Sequence, residues 1–202
     1  MITGSNELLV EEFKQEMMHV FEMTDLDLMT YFLGKEVKQS QNEVFICQKK
    51  YAKEILKKFQ IEECKVTSTP MNRKEKLSKD DGADKVDEGY FRSLIGCLMY
   101  LTTTRTDILF VVSLLSCFMH GDSEIHLRVA KRILRYIKGT VSYDVKFEKC
   151  QSFKLYGFSD NDRVGSIDDM KRTSGYCFSL GLGVFLWCSK KQEIVAQSTA
   201  KA

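Results

Sequence analysis

Tyr156-Gly157-Phe158-Ser159-Asp160-Asn161-Asp162 alternates large and small residues and then ends in two carboxylates. A period of two predicts a strand, and side chains two apart on a strand share a face. Asp160 and Asp162 can therefore turn toward one divalent ion. Two apolar segments follow, Thr173 to Leu180 and Val184 to Ser189, so Phe153 to Ser189 reads as three strands separated by glycine and charged turns. Acids on strands suggest a metal-dependent phosphodiester site, which requires several carboxylates around two ions roughly 4 Å apart. Asp168-Asp169 offers further ligands or simply a polar turn, and the Asp160–Asp162 pair has the same plainer reading.

Upstream of these strands the pattern is helical. Asp122-Ser123 caps a helix over Glu124 to Lys138 that Gly139 is expected to end. Leu127, Ala130, Ile133, Leu134 and Ile137 form one stripe of it; Arg128, Lys131, Arg132, Arg135 and Lys138 form the other. The basic stripe reads either as a track for a phosphate backbone or as a solvated helix face. Tyr90 to Leu101 and Ile108 to Met119 are apolar on nearly every side and so belong in a core, with Asp107 placed to cap the second. Arg73 to Glu88 mixes charges of both signs and reads as an exposed linker. Lys50 to Phe59 is a short amphipathic helix. Before it, Tyr31 to Gln39 and Val44 to Gln48 flank a polar turn, a β-hairpin signal. Ser5-Asn6 opens the first helix, whose Leu9, Phe13, Met17, Val20 and Phe21 fall on one face. Strands at both ends and helices between them predict an α+β fold.

Composition narrows the function classes. The chain has 202 residues, 44% of them hydrophobic, and a formal net charge of +2, too small to argue for a partner. Its seven cysteines include no C-x-x-C pair, and with no leader signal they read as reduced thiols of an intracellular protein, in the cytoplasm or nucleus. The longest apolar region, Leu94 to Met119, is broken by Arg105 and Asp107, and each half falls short of the roughly 20 residues of a membrane span. The scattered His19, His120 and His126 suggest no nucleophilic catalysis, and Gly181-x-Gly183 opens no helix that could hold a phosphate.

Several longer motifs occur in a fixed order. Phe21-Glu22-Met23-Thr24-Asp25-Leu26, Tyr31-Phe32-Leu33-Gly34 and Gln48-Lys49-Lys50-Tyr51-Ala52 come first. Ser68-Thr69-Pro70-Met71, Leu77-Ser78-Lys79-Asp80-Asp81-Gly82 and Arg92-Ser93-Leu94-Ile95-Gly96 follow. Ala130-Lys131-Arg132-Ile133-Leu134-Arg135-Tyr136-Ile137-Lys138-Gly139-Thr140, Arg172-Thr173-Ser174-Gly175-Tyr176 and Trp187-Cys188-Ser189-Lys190-Lys191-Gln192 close the series. Together they resemble the Pol polyprotein of copia-type LTR retrotransposons, across the end of reverse transcriptase and the start of ribonuclease H, from Ile2 to Ala202.

The resemblance implies a layout. Residues 1–48 would be the end of the polymerase palm, with a last palm helix and a primer-grip-like hairpin at Phe32, Leu33 and Gly34. Residues 49–150 would be a helical thumb and connection containing the exposed linker 73–88, and 151–202 an incomplete ribonuclease H-like sheet. Arg128, Lys131, Arg132, Arg135 and Lys138 would then meet an RNA–DNA hybrid or a DNA duplex, with other Pol segments as further partners and no membrane. Asp160 matches the first catalytic carboxylate of ribonuclease H, which would bridge two Mg²⁺ ions, with Asp162 as a second ligand.

Departures from the family pattern point away from catalysis. Trp-Ala-Gly after the acids is Arg163-Val164-Gly165 here, Thr-Arg-Pro-Asp is Thr104-Arg105-Thr106-Asp107, and His-Trp is His126-Leu127. Ser-Thr-Ala-Glu-Ala-Glu-Tyr is Ser198-Thr199-Ala200-Lys201-Ala202, with lysine at the first glutamate. The Tyr-x-Asp-Asp polymerase motif would precede Met1. The expectation is a fragment that lacks both complete active sites, holds no Mg²⁺ tightly, and is either inert or a non-catalytic duplex-binding module. A self-contained hydrolase built on Asp160, Asp162, Asp168 and Asp169 is the remaining alternative. The central helices should be its most stable part, because the terminal strands leave a sheet face and an edge open.

Overall fold

A computed structural model describes residues 6–24, 28–72, 75–148, 154–161, 168–169 and 171–193. Asp162, Arg163-Val164-Gly165, Ser198–Ala202 and Met1–Gly4 lie outside the described residues. The chain divides into two units, Met1–Thr30 and Tyr31–Ala202. The first holds helix α1, Glu7–Val20, whose Asn6 side chain accepts hydrogen bonds from the Leu8 and Leu9 amides and so satisfies two donors the helix leaves open.

The second unit is α+β. Strands β1 (Tyr31–Phe32), β2 (Lys35–Gln39) and β3 (Glu43–Cys47) precede helix α2 (Lys49–Lys58). Helices α3 (Glu88–Leu101), α4 (Leu109–Ser116) and α5 (Glu124–Gly139) follow, then β4 (Val145–Glu148) and strands β5 (Leu155–Asn161), β6 (Thr173–Leu180) and β7 (Gly183–Lys191). The helices enclose the core. Phe91, Leu94, Ile95 and Leu98 of α3, Leu115 of α4 and Ile133, Leu134 and Ile137 of α5 are fully buried, as their all-round or one-sided apolar patterns require. Ile55 and Leu56 bring α2 into the same cluster.

Two antiparallel sheets flank the helices. One has the order β1-β2-β3-β4, so the β2–β3 hairpin is extended by a strand that follows α5, with Val44 opposite Phe147 and Ile46 opposite Val145. The other is the meander β5-β6-β7, as the alternation around Asp160 predicts. The Trp187 indole of β7 donates to the Thr102 carbonyl at the end of α3 (3.1 Å), tying this sheet to the helices.

Four local expectations are corrected. Tyr31 to Gln39 is interrupted, because Leu33 (φ 46°) and Gly34 (φ 72°) both take the left-handed conformation of a tight hairpin turn. Asp107 does not cap α4; it lies in the 3₁₀ turn Thr106–Ile108 and is drawn instead to Arg105. Gly139 does not end α5 in a left-handed turn, since the helix includes it and stops at Thr140 (φ −132°). A Cβ there would stand 3.4 Å from Val66, an ordinary packing distance. Of the segment 73–88, the described residues 75–88 are largely exposed yet anchored. Leu77 is buried in the core, Asp81 accepts a short hydrogen bond from the Ser123 hydroxyl, and the Asp84 carbonyl accepts from the Glu124 amide (2.9 Å). One leucine in a polar run and the open donors of a helix N-terminus suffice to hold it.

Candidate nucleic-acid interface

Helix α5 is built to present one face outward. Ser123 caps it, its hydroxyl accepting from the His126 amide (3.4 Å) while the Ser123 amide donates to His126 Nδ1 (3.1 Å), a reciprocal pair at the first turn. Burial pulls the His126 imidazole below its ordinary pKa, against the raising influence of Asp81 and Asp122, which suits a neutral ring whose Nδ1 accepts. Ala130, Ile133, Leu134 and Ile137 of the apolar stripe are consumed by the core, Leu127 is half-buried at its margin, and the five cations lie on the other side.

The structure splits those five. Segment 64–69 crosses their face: the Thr67 amide donates to the Arg135 carbonyl (3.4 Å), and Val66 packs at Gly139. Arg132 donates to the Thr69 carbonyl (3.2 Å) and hydroxyl (3.0 Å), and Lys138 donates to the Cys64 carbonyl (2.9 Å). These two cations hold the protein's own chain. Arg128 and Lys131 are exposed, while Arg135 is half-buried with an Nε that makes no hydrogen bond. Arg128, Lys131 and Arg135 line one open groove of about 450 Å³, which neither the β1–β2 turn nor β5 enters.

Phe32, Leu33 and Gly34 form the second expected contact. Phe32 and Leu33 are exposed at the tip of the first sheet. The turn is fixed from beneath, where the Tyr100 hydroxyl donates to the Leu33 carbonyl and the Tyr100 ring meets Tyr51 edge-on at 4.8 Å. A Cβ on Gly34 would come within 2.5 Å of the Tyr100 oxygen, so glycine is demanded by space as well as by φ.

Asp160 is exposed on β5, opposite Gly175 of β6. Asp162 lies outside the described residues, so the proposed pairing of the two carboxylates has no geometry to report. Asp168 accepts from the Ser78 hydroxyl (2.5 Å) and the Lys79 amide (3.1 Å), and Asp169 pairs with Lys191 (2.9 Å), so both acids have structural partners. Among the described residues, no group of three or more histidine, cysteine, aspartate or glutamate side chains is placed to hold a metal ion. With Asp162 outside them, the described residues carry one acid of the expected pair, Asp160.

Residue-by-residue reading missed Arg105, which is buried at 4% exposure. Its guanidinium binds both Asp107 oxygens (2.9 and 2.7 Å) and the Thr140 carbonyl and hydroxyl (3.0 and 2.7 Å). Tyr136 and Tyr143 lie 5.6 and 5.3 Å from it. Burial alone would raise the Asp107 carboxyl, but hydrogen bonds and charge from Arg105 outweigh it and hold the carboxyl below its usual range. Burial, aided by Asp107, pushes the Tyr136 phenol up to about 12. The available signal was a lone Arg-x-Asp interrupting an apolar run.

Comparison with known proteins follows the whole length of the chain. A family model described as reverse transcriptase (RNA-dependent DNA polymerase) matches residues 1–73. The chain is 35% identical over 202 residues to the retrovirus-related Pol polyprotein from transposon RE1 of Arabidopsis thaliana, covering 14% of that protein. It is 32% identical over 211 residues to the Pol polyprotein from transposon TNT 1-94 of Nicotiana tabacum, covering 16% of it. An uncharacterized mitochondrial protein of Arabidopsis thaliana is 33% identical over 201 residues, 83% of its length. All three alignments span this entire chain. No solved structure matches.

Proposed function

Because the chain belongs to the copia-type retrotransposon Pol family, we propose that it is a reverse transcriptase–ribonuclease H segment that holds an RNA–DNA hybrid or DNA duplex without catalysing on its own. The observation carrying this reading is the outward cationic face of α5. After Arg132 and Lys138 have been engaged by segment 64–69, Arg128, Lys131 and Arg135 still turn to one groove and have no acidic partner within it except Glu124 at its end. Cations left without an ion pair among the described residues suit the sequence-independent phosphate contacts that dominate nucleic-acid affinity. The exposed Phe32-Leu33-Gly34 turn would add an apolar contact at the primer side.

Within this reading, residues 1–48 serve as the end of the palm, 49–150 as thumb and connection, and 151–202 as the opening sheet of a ribonuclease H-like domain. Other Pol segments would complete the assembly. No described helix is long and apolar enough to cross a membrane, and the reading places the protein where reverse transcription occurs, in the cytoplasm or nucleus. Mg²⁺ belongs to the parent activity. In this chain Asp160 would stand for one carboxylate of that centre, and a single acid cannot position two ions.

Equilibrium binding to a short RNA–DNA hybrid tests the proposal. Affinity should fall steeply with salt, and changing Arg128, Lys131 and Arg135 together to glutamine should weaken it and reduce the slope of log K against log salt by about 2–3. Unchanged affinity and slope would remove the proposal. Mg²⁺-dependent cleavage of the hybrid by the purified chain, abolished in Asp160→Asn, would overturn the non-catalytic part alone.

A further inference from the structure

Three cations of α5 share a groove with an unusual lining for a simple electrostatic track. Its floor is apolar, made by Ile61 from the turn after α2 and by Ile125 and Leu127 of α5, with Glu124 at one end. Arg128, Lys131 and Arg135 lie along it, separated by three and four residues, so at 1.5 Å rise per residue they extend over about 10 Å. That length is close to that of a single nucleotide.

Arg135 sharpens the point. Its neighbours Arg132 and Lys138 find carbonyl partners in segment 64–69, but the Arg135 Nε is shielded from solvent and has no hydrogen-bond partner among the described residues. That shielded Nε cannot itself meet a ligand in the open groove, so Arg135 serves the groove through the rest of its half-buried side chain. An arginine fork matches the oxygens of a phosphate, and a groove with an apolar floor and a few convergent polar groups is the usual form of a small-ligand site.

We infer that the groove along α5 binds one phosphate ester of nucleotide size, its phosphate at Arg135 and Lys131 and its sugar or base against Ile61, Ile125 and Leu127. Arg128 adds charge on the same side. Glu124 disfavours a second anion at the other end and leaves an acceptor there for a hydroxyl or amino group. The choice of a nucleotide over other phosphate esters rests on the reading of α5 as a nucleic-acid face; the anion site itself rests on the groove.

Calorimetric titration of the full chain at low salt with adenosine 5′-monophosphate, and separately with adenosine, tests this. The phosphate ester should bind and adenosine should bind at least about tenfold more weakly, since a charge-assisted contact is worth that factor. Lys131→Gln and Arg135→Gln should each weaken the monophosphate about tenfold, while Lys53→Gln, on the outer face of α2, should not. Lys131 is exposed, so its substitution answers the question even if Arg135→Gln unfolds the chain. No binding of the monophosphate, equal binding of adenosine, or unchanged affinity in Lys131→Gln would overturn the inference. Competition between the monophosphate and an RNA–DNA hybrid would identify a strand phosphate as the natural occupant; binding without competition would identify a free nucleotide. Hybrid affinity that survives while the monophosphate fails removes the groove site and leaves the duplex-holding reading intact, and the reverse result does the opposite.

Discussion

Arg105 is a charge buried in a largely apolar unit, and its surroundings explain how it is tolerated. Its hydrogen bonds go to Asp107 and Thr140, and two tyrosine rings surround the guanidinium. The clasp joins the start of α4 to the end of α5, where no helix cap does so. Replacing Arg105 by methionine keeps the length but leaves Asp107 without its counter-charge, held by Tyr136, and strands the Thr140 carbonyl, and should cost about 3 kcal/mol in urea unfolding. The clasp also has a pH signature. Asp107 is held below its ordinary value in the folded chain, so its contribution is fully present above the unfolded carboxylate pKa of roughly 3.9 and is lost as pH falls through the depressed folded value. Asp107→Asn should therefore lower stability at neutral pH and flatten its fall below about pH 4. A variant whose acid limb matches the parent would show that Asp107 is not the group being titrated.

At the scale of elements, the β1–β2 turn carries a residue in an unfavourable conformation. Leu33 sits at φ 46°, where a branched side chain costs roughly 1–2 kcal/mol relative to glycine, and asparagine tolerates that region better. Leu33→Asn would create the Asn-Gly pair favoured in such turns and should raise the thermal midpoint by a few degrees. Gly34→Ala should lower it by more, because the new methyl meets Tyr100 in addition to the backbone penalty. Equal midpoints for both variants would mean that the turn is not formed in solution. The same turn shows where the sequence was legible. Gly34 inside a strand pattern signalled a break, but the alternation on either side masked it. The two faces of α5 were readable from helical spacing, which separates the buried stripe from the cationic one. Their division into structural and outward-facing groups was not, because the segment that covers Arg132 and Lys138 is extended and polar and carries no periodicity. Strand β4 escaped for a related reason. It has four residues, and its partner β3 lies about a hundred positions earlier in the chain.

At the scale of the larger unit, Tyr31–Ala202, burial is uneven. The helices hide Phe91, Leu94, Ile133 and Leu134 completely, whereas the β5–β7 sheet leaves Leu155, Tyr176, Leu180 and Leu186 exposed on one face. Register places these four on the same side, since Leu155 pairs with Leu180 and Gly157 pairs with Phe178, itself opposite Leu186. β5 has no second neighbour among the described residues and so forms an edge. An open apolar face beside an open edge gives a sheet less to lose on local opening than a helical core in which each side chain is surrounded. The sheet is held to the helices through Trp187 at β7, the strand farthest from β5. Opening should therefore begin at β5 and be resisted at β7. Native-state hydrogen exchange should find β5 amides exchanging about a hundredfold faster than those of α4, with β7 between them. Trp187→Phe keeps the ring but removes the donor to Thr102, and should bring β7 toward the rate of β5 while leaving α4 nearly unchanged. Exchange of β5, β7 and α4 at one common rate would show instead that sheet and helices open as a single cooperative unit.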